Sequence, residues 1–192
     1  FQFSNSQVFE QYKKLKDDGV YLDSSQLALI YEKQSWFRQM LLDENVILLK
    51  ARAEAELLNK RKILSEFFKM RELRRDRYKK ETGKSLAQTE AMWEMLEGGA
   101  RYFEYGTFRI LQTASINQKL AEVDSKYGSN KRYRKIFSTE MMEDLAKDKK
   151  RTRYFYTTGF NLYMLLEQVD PQFSKSLFDK APYYAESILK AL

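Results

Sequence analysis

Five residues constrain the fold of this chain more than any others: Glu81-Thr82-Gly83-Lys84-Ser85. They separate two long helical patterns. Gly83 suits a left-handed C-cap and Ser85 a fresh N-cap. A connection this short lays the helices it joins side by side and antiparallel.

The helix before the turn is expected from about position 44 to 80, with Asp43 as its N-cap. Val46, Leu49, Ala53, Leu57, Leu64 and Phe67 follow three- and four-residue steps, and Ile47, Leu58, Ile63 and Phe68 widen the stripe. The helix after it is expected over about 86–111. Counting outward from Gly83 sets position 94 near 72 and position 90 near 76. Arg71, Arg74 and Arg75 should therefore lie across from Glu90 and Glu94 and form at least one charge-assisted pair.

The remaining patterns are helical too. Val8, Tyr12 and Leu15 mark a short helix ending before Gly19. Asp23-Ser24-Ser25 offers N-caps for a helix to about Leu42, with Leu27, Ile30, Tyr31, Trp36 and Met40 buried. A helix is expected within 114–126, using Ile116, Leu120 and Val123, before a turn at Tyr127-Gly128-Ser129-Asn130. Ser138 or Thr139 can cap a short helix through Lys147. Tyr156, Phe160, Tyr163, Met164 and Leu166 mark a helix with a wide apolar face, Glu167 facing solvent, which Asp170-Pro171 ends. Phe173, Leu177 and Phe178 suggest another short helix, and Tyr184, Ile188 and Leu189 a last one. With 192 residues, seven glycines, two prolines and no linker, the expectation is a single all-α domain over 1–192. The start at Phe1 leaves room for these residues to be a fragment of a longer chain.

Composition narrows the chemistry. There is no cysteine and no histidine, which removes disulfides, thiolate catalysis, imidazole acid–base chemistry and a self-contained zinc hydrolase site. No apolar run reaches the roughly 18 residues of a membrane span. The net charge of +7 gathers in residues 50–84 and 131–153. Such runs can meet nucleic acid or anionic membrane, but they read first as solvated helix faces. The cations before Gly83 also complement the helix macrodipole. Tyr133 or Phe137 in KRYRKIF could stack on RNA, although helix packing is the more ordinary role, so nucleic acid is not an expected partner.

The stretch from Ser85 to Leu111 is the unusual one. Glu90, Glu94, Glu97, Arg101 and Glu104 step by four and three and should share one helical face, with a Glu97–Arg101 pair at i,i+4. Trp93, Leu96, Ala100 and Phe103 lie beside them as buried positions. Gly98-Gly99 interrupts the helix, at about 1 kcal/mol per glycine relative to alanine. A neighbouring backbone, a metal or a ligand approaching closely would account for the pair.

Glu94, Glu97, Gly98, Ala100 and Tyr102 spell E-x-x-E-G-x-A-x-Y, which resembles the downstream glutamate helix of gluzincin-type metallopeptidases. Arg71-x-x-Arg74, and Arg153-Tyr154-Phe155-Tyr156-Thr157-Thr158-Gly159 with its R-x-x-Y-x-x-G pattern, are similar to other parts of that family, so the likeness spans roughly residues 40–192. The resemblance implies that Glu97 is the third zinc ligand and that Tyr156 or Tyr154 stabilises an oxyanion. Glu94, Arg71, Arg74 and Arg101 would support them. It also implies a zinc cofactor, a peptide or protein substrate, and an upstream HExxH helix carrying two ligating histidines and a general-base glutamate.

That HExxH helix is absent from the 192 residues. The chain is then either the helical C-terminal portion of such an enzyme, completed by an upstream segment of the same protein, or a degenerate inactive relative. Alone it is not catalytically complete. Two other readings compete. One is a non-enzymatic all-α binding or scaffold protein, with Glu97 in ion pairs to Arg101, Arg71 or Arg74. The other is a basic RNA- or membrane-associated helical protein.

Overall fold

The computed structural model describes residues 5–131, 145, 153–173 and 184–191, except for the side chains of 5–8 and 11. Among the described residues every regular element is helical. In chain order these are α1 (Asn5–Asp17), α2 (Ser24–Lys33), α3 (Ser35–Ala53), α4 (Leu57–Thr82) and α5 (Ala87–Trp93). A π-helical segment (Glu94–Gly98) leads into α6 (Gly99–Thr113), followed by α7 (Gln118–Val123) and a 3-10 turn (Ser125–Gly128). Then come α8 (Phe155–Val169) and α9 (Ala185–Ala191). The helices expected after Ser138 and around Leu177 and Phe178 lie outside the described residues.

Local chemistry explains most boundaries. Gly19 adopts φ +67° just after α1. Asp23 caps α2 by accepting from the Ser25 and Gln26 amides at 2.8 Å each, while the Gln26 side chain accepts from the Asp23 amide. Gly83 closes α4 in the left-handed conformation, φ +75°. Ser85 does not cap the next helix. That helix begins at Ala87 after Leu86, whose side chain is fully buried, and no side chain caps it.

Two expected helices are each broken. The one expected over 24–42 stops at Lys33, and Gln34 is extended. Arg38, in the first turn of α3, donates to the Tyr31 and Glu32 carbonyls that the break leaves open, at 3.3 and 2.9 Å. The one expected over 44–80 is interrupted at 54–56, where Glu54 is extended and its side chain accepts from the Glu56 amide at 2.9 Å. In one straight helix Glu44 and Arg74 would stand about 45 Å apart at 1.5 Å per residue. Their side chains meet at 2.6 Å instead, so the chain reverses between them. The chain thus folds back twice, α3 against α4 at residues 54–56 and α4 against α5 at Gly83.

The face that α3 buries also differs from the expected one. Leu41, Glu44, Asn45, Leu48 and Ala51 are inside, whereas Val46 is exposed. Leu57 and Leu58, expected in the stripe of the following helix, are exposed as well. Two polar residues on the true inner face disguised its period.

The structural centre is α8. Phe155 and every residue from Thr157 to Leu166 are buried, so this helix presents scarcely any side to water. It packs against α3, α5, the π segment, α6 and α9. Leu162, Tyr163, Leu165 and Leu166 join Leu48, Phe67, Met95 and Leu189 in one apolar cluster. Tyr154 and Phe155 join Leu27, Tyr31, Phe37 and Leu41 in another. Glu167 is half-buried near Tyr102, whose phenol burial and that carboxylate push up to about 12. Farther out, α7 is shorter than expected, and Ile116, Leu120 and Val123 are exposed.

Candidate functional site

Arg71, Arg74 and Arg75 sit on the inward face of α4, and all three are buried. Arg71 grips Glu94 with two hydrogen bonds, 2.7 and 3.0 Å. Arg74 donates to Glu44 at 2.6 and 3.0 Å and to Glu90 at 2.6 and 3.2 Å. Arg75 reaches Glu90 at 2.9 Å. The expected pairing across the Gly83 turn is therefore present at both glutamates.

Two acids absent from the sequence expectation complete the cluster. Glu44 comes from α3. Glu186 comes from α9 and accepts from Arg71 and Arg75, each at 2.9 Å. Three guanidinium ions thus face four carboxylates, and Lys190 approaches Glu186 at 2.8 Å from the rim. Tyr154 donates to Glu90 at 2.6 Å, and the Thr158 hydroxyl donates to Glu94. Arg71 and Arg74 also lie over the rings of Phe67 and Phe37, at 4.6 and 4.7 Å. Ions this deep are tolerated only when opposite charges and hydrogen bonds satisfy them.

The electrostatics follow from this enclosure. Burial pushes the Glu90 carboxyl up, but Arg74 and Arg75 overcome it and hold the group at about 2. Glu186 is likewise driven well below the carboxylate range by Arg71 and Arg75, against burial. Glu94 goes the other way. Burial lifts it, with Glu90 and Glu186 adding to the push, against the pull of Arg71.

The π segment sets the remaining side chains. Its wider turn inserts a residue and rotates everything beyond it. The five charged positions expected on one face are accordingly separated. Glu90 and Glu94 are sealed in the cluster, Glu97 is half-buried, and Arg101 pairs with Glu104 near the surface. Glu97 faces Tyr156 of α8 rather than Arg101. The Tyr156 phenol feels that carboxylate on one side and Arg153 on the other, and the Arg101 guanidinium lies 5.5 Å from its ring. Burial and then the Glu97 carboxylate raise the Tyr156 phenol, against Arg153. The two tyrosine candidates part company: Tyr154 is fully enclosed in the ion cluster, while Tyr156 is half-buried. Arg153 in turn lines a surface cleft of about 420 Å³ with Asp23, Ser25, Gln26, Ala28 and Leu29.

Gly98-Gly99 has its explanation in a neighbouring backbone. A methyl group on Gly98 would fall 2.4 Å from the Gly159 Cα, and one on Gly159 would fall 2.5 Å from the Glu94 carbonyl oxygen. Gly99 lies against the Tyr163 ring. The contact is what brings Tyr156 within reach of Glu97.

No family model, curated protein or solved structure matches this chain. Chemistry alone must then decide what these residues can hold. A catalytic zinc takes three protein ligands and an open position. Among the described residues no group of three or more carboxylate, thiol or imidazole side chains is arranged to hold a metal. The carboxylates that do cluster already have arginine partners. Zinc does not fit these residues by themselves.

The same cluster alters the reading of the basic run. Arg71, Arg74, Arg75 and Lys60 are buried, so part of the charge on residues 50–84 is spent internally. Among the described residues no helix is long and apolar enough to cross a membrane.

Proposed function

We propose that this chain is the helical C-terminal portion of a gluzincin-like metallopeptidase and contributes one half of a peptide-hydrolysing site, Glu97 and Tyr156. The observation that carries the reading is the nearness of those two side chains, brought together across the Gly98–Gly159 contact. Carboxylate and phenol occupy the E-G-x-A-x-Y and R-x-x-Y-x-x-G positions that the resemblance assigns to ligand and oxyanion donor. With its phenol raised, Tyr156 stays protonated at neutral pH and keeps a hydrogen to donate to a carbonyl oxygen gaining negative charge. The arginine cluster holds the two helices rigid and takes no part in the chemistry. The metal-binding histidines must come from residues outside these 192.

The test is made on the parent protein with its flanking segments. Metal content and peptide cleavage are measured for the wild type, Glu97→Ala and Tyr156→Phe. The expected result is zinc-dependent cleavage, abolished by the first change and lowered roughly 100-fold by the second, the scale of a lost oxyanion donor. A parent protein that neither binds zinc nor cleaves peptides would overturn the activity.

A second reading, a non-enzymatic helical scaffold, is favoured by the backbone of α8 filling the space beside Gly98. In that case Glu97→Ala leaves every binding property of the parent protein unchanged.

A further inference from the structure

Beyond Gly99 the chain leaves the core. No residue from 100 to 131 is buried, and α7 packs chiefly against the 3-10 turn that follows it. Asn130 ties this outlying unit to the end of α6 by donating to the Ala114 carbonyl at 2.7 Å. A methyl group on Gly128 would sit 3.9 Å from the Ala121 side chain, so Ala121 marks the face of α7 turned toward the 3-10 turn. At about 100° per residue, Lys119, Leu120 and Val123 share the opposite face. Leu120 is 49% exposed and Val123 86%, with Ile116 also exposed just before the helix and Ile110 at 69% one turn before Ala114. Single exposed aliphatics are ordinary. Four of them between 110 and 123, on a unit with no buried side, mark a contact surface.

Charge decides what the contact is. Residues 107–131 carry Arg109, Lys119, Lys126 and Lys131 against Glu122 and Asp124. None of those four cations stands in an ion pair among the described residues. Asp124 is turned back on the chain, where it accepts from the Lys126 amide at 2.9 Å. Cations around the aliphatics repel a second copy of the same face. Nucleic acid would engage the lysines and leave the aliphatics in water. A bilayer with anionic headgroups satisfies both, taking amines among its phosphates and aliphatic side chains at its acyl boundary. Such an interface also needs no groove to receive side chains that stand out from the surface.

We infer that the α6–α7 end of the molecule is a peripheral membrane-binding surface. Leu120 and Val123 enter the boundary between headgroups and acyl chains of an anionic bilayer, and Lys119, Lys126 and Lys131 engage its phosphates. The protein lies on the bilayer without crossing it, since among the described residues no helix is long and apolar enough to span one. The inference does not depend on the peptidase reading.

The test sediments the full chain with phosphatidylcholine vesicles, with and without phosphatidylglycerol. The expected result is binding to the phosphatidylglycerol vesicles that weakens as salt rises and is about tenfold or more weaker on phosphatidylcholine alone. The double variant Leu120→Glu, Val123→Glu should lose about tenfold or more on the anionic vesicles. Leu73→Glu, at a 64% exposed position of α4, should bind as wild type does. The chain has no cysteine, so a polarity-sensitive fluorophore can be attached through Val123→Cys or Leu73→Cys alone. On anionic vesicles the first label should shift to the blue and the second should not, a readout that holds even if the double variant fails to fold. Absence of binding, equal binding to both vesicles, or an equal shift at both labels would overturn the proposal. So would a dimer of the free protein that the double variant dissociates.

Discussion

Gly98 and Gly159 meet backbone to backbone, with 2.4 Å between the Gly159 Cα and the point where a Gly98 side chain would begin. Neither partner can give way by turning a side chain, because the atoms in contact are main chain. Gly98→Ala and Gly159→Ala should each destabilise the protein by about 3 kcal/mol or more, the upper range for overpacking. Gly106→Ala is the control: nothing lies within 4 Å of the added methyl in α6, and relief of glycine's helix penalty should stabilise by about 0.5–1 kcal/mol. Urea denaturation of the three variants measures both signs.

Removal of one acid from the arginine cluster should cost more than an exposed ion pair would. Glu90→Ala strips Arg74 and Arg75 of a shared counter-ion inside the protein, and a loss of about 3–5 kcal/mol is expected. Arg77→Ala breaks a pair with Glu81 whose side chains are about half exposed, and should cost no more than about 1 kcal/mol. Thermal unfolding distinguishes the two, with Glu90→Ala far below Arg77→Ala in Tm.

The same acid gives the protein a defined sensitivity to low pH. Glu90 moves from an ordinary 4.5 to about 2 in the folded state. The unfolded chain therefore binds its proton more readily, and the stability it supplies is complete above pH 4.5 and lost as pH falls toward 2. Glu186 acts in the same direction, and Glu94, raised by burial, in the opposite one. Unfolding free energy measured from pH 6 to pH 2 should fall, and Glu90→Gln should flatten that slope.

The two neighbouring tyrosines should separate cleanly. Tyr154→Phe deletes a buried hydrogen bond to an ionised carboxylate, worth about 1.5–3 kcal/mol. Tyr156 is half-buried, and Tyr156→Phe should stay within about 1 kcal/mol of wild type, as for a hydroxyl near the surface. Equal losses for both would contradict the enclosure of Tyr154.

How far the sequence foretells this arrangement depends on whether the cause is local. Gly83 and the pairing of Arg71, Arg74 and Arg75 with Glu90 and Glu94 follow from a short turn and a count of residues. Asp23 and Gly19 are equally local signals. Glu44 and Glu186 leave no such mark, because an acid near an apolar stripe reads as a solvent-facing residue until its distant arginine is known. The break at 54–56 runs through Glu54, Ala55 and Glu56, good helix formers, so propensity argues for continuity and tertiary packing overrules it. The π turn lies where the Gly159 backbone crosses it, a long-range contact that no local pattern announces. Of the candidate site, the motif singles out Glu97 and leaves Tyr154 and Tyr156 as alternatives; nothing in it tells that Tyr154 is enclosed with the arginines while Tyr156 is half-buried.

The reach of Arg71 across the chain has a consequence for synthesis on the ribosome. Its partner Glu186 lies 115 residues later, and contacts separated so widely form slowly and late. While the intervening residues are made, Arg71 and Arg75 face a missing anion at the centre of a partly assembled bundle. The nascent chain should therefore stay loosely packed and close only when Glu186 arrives.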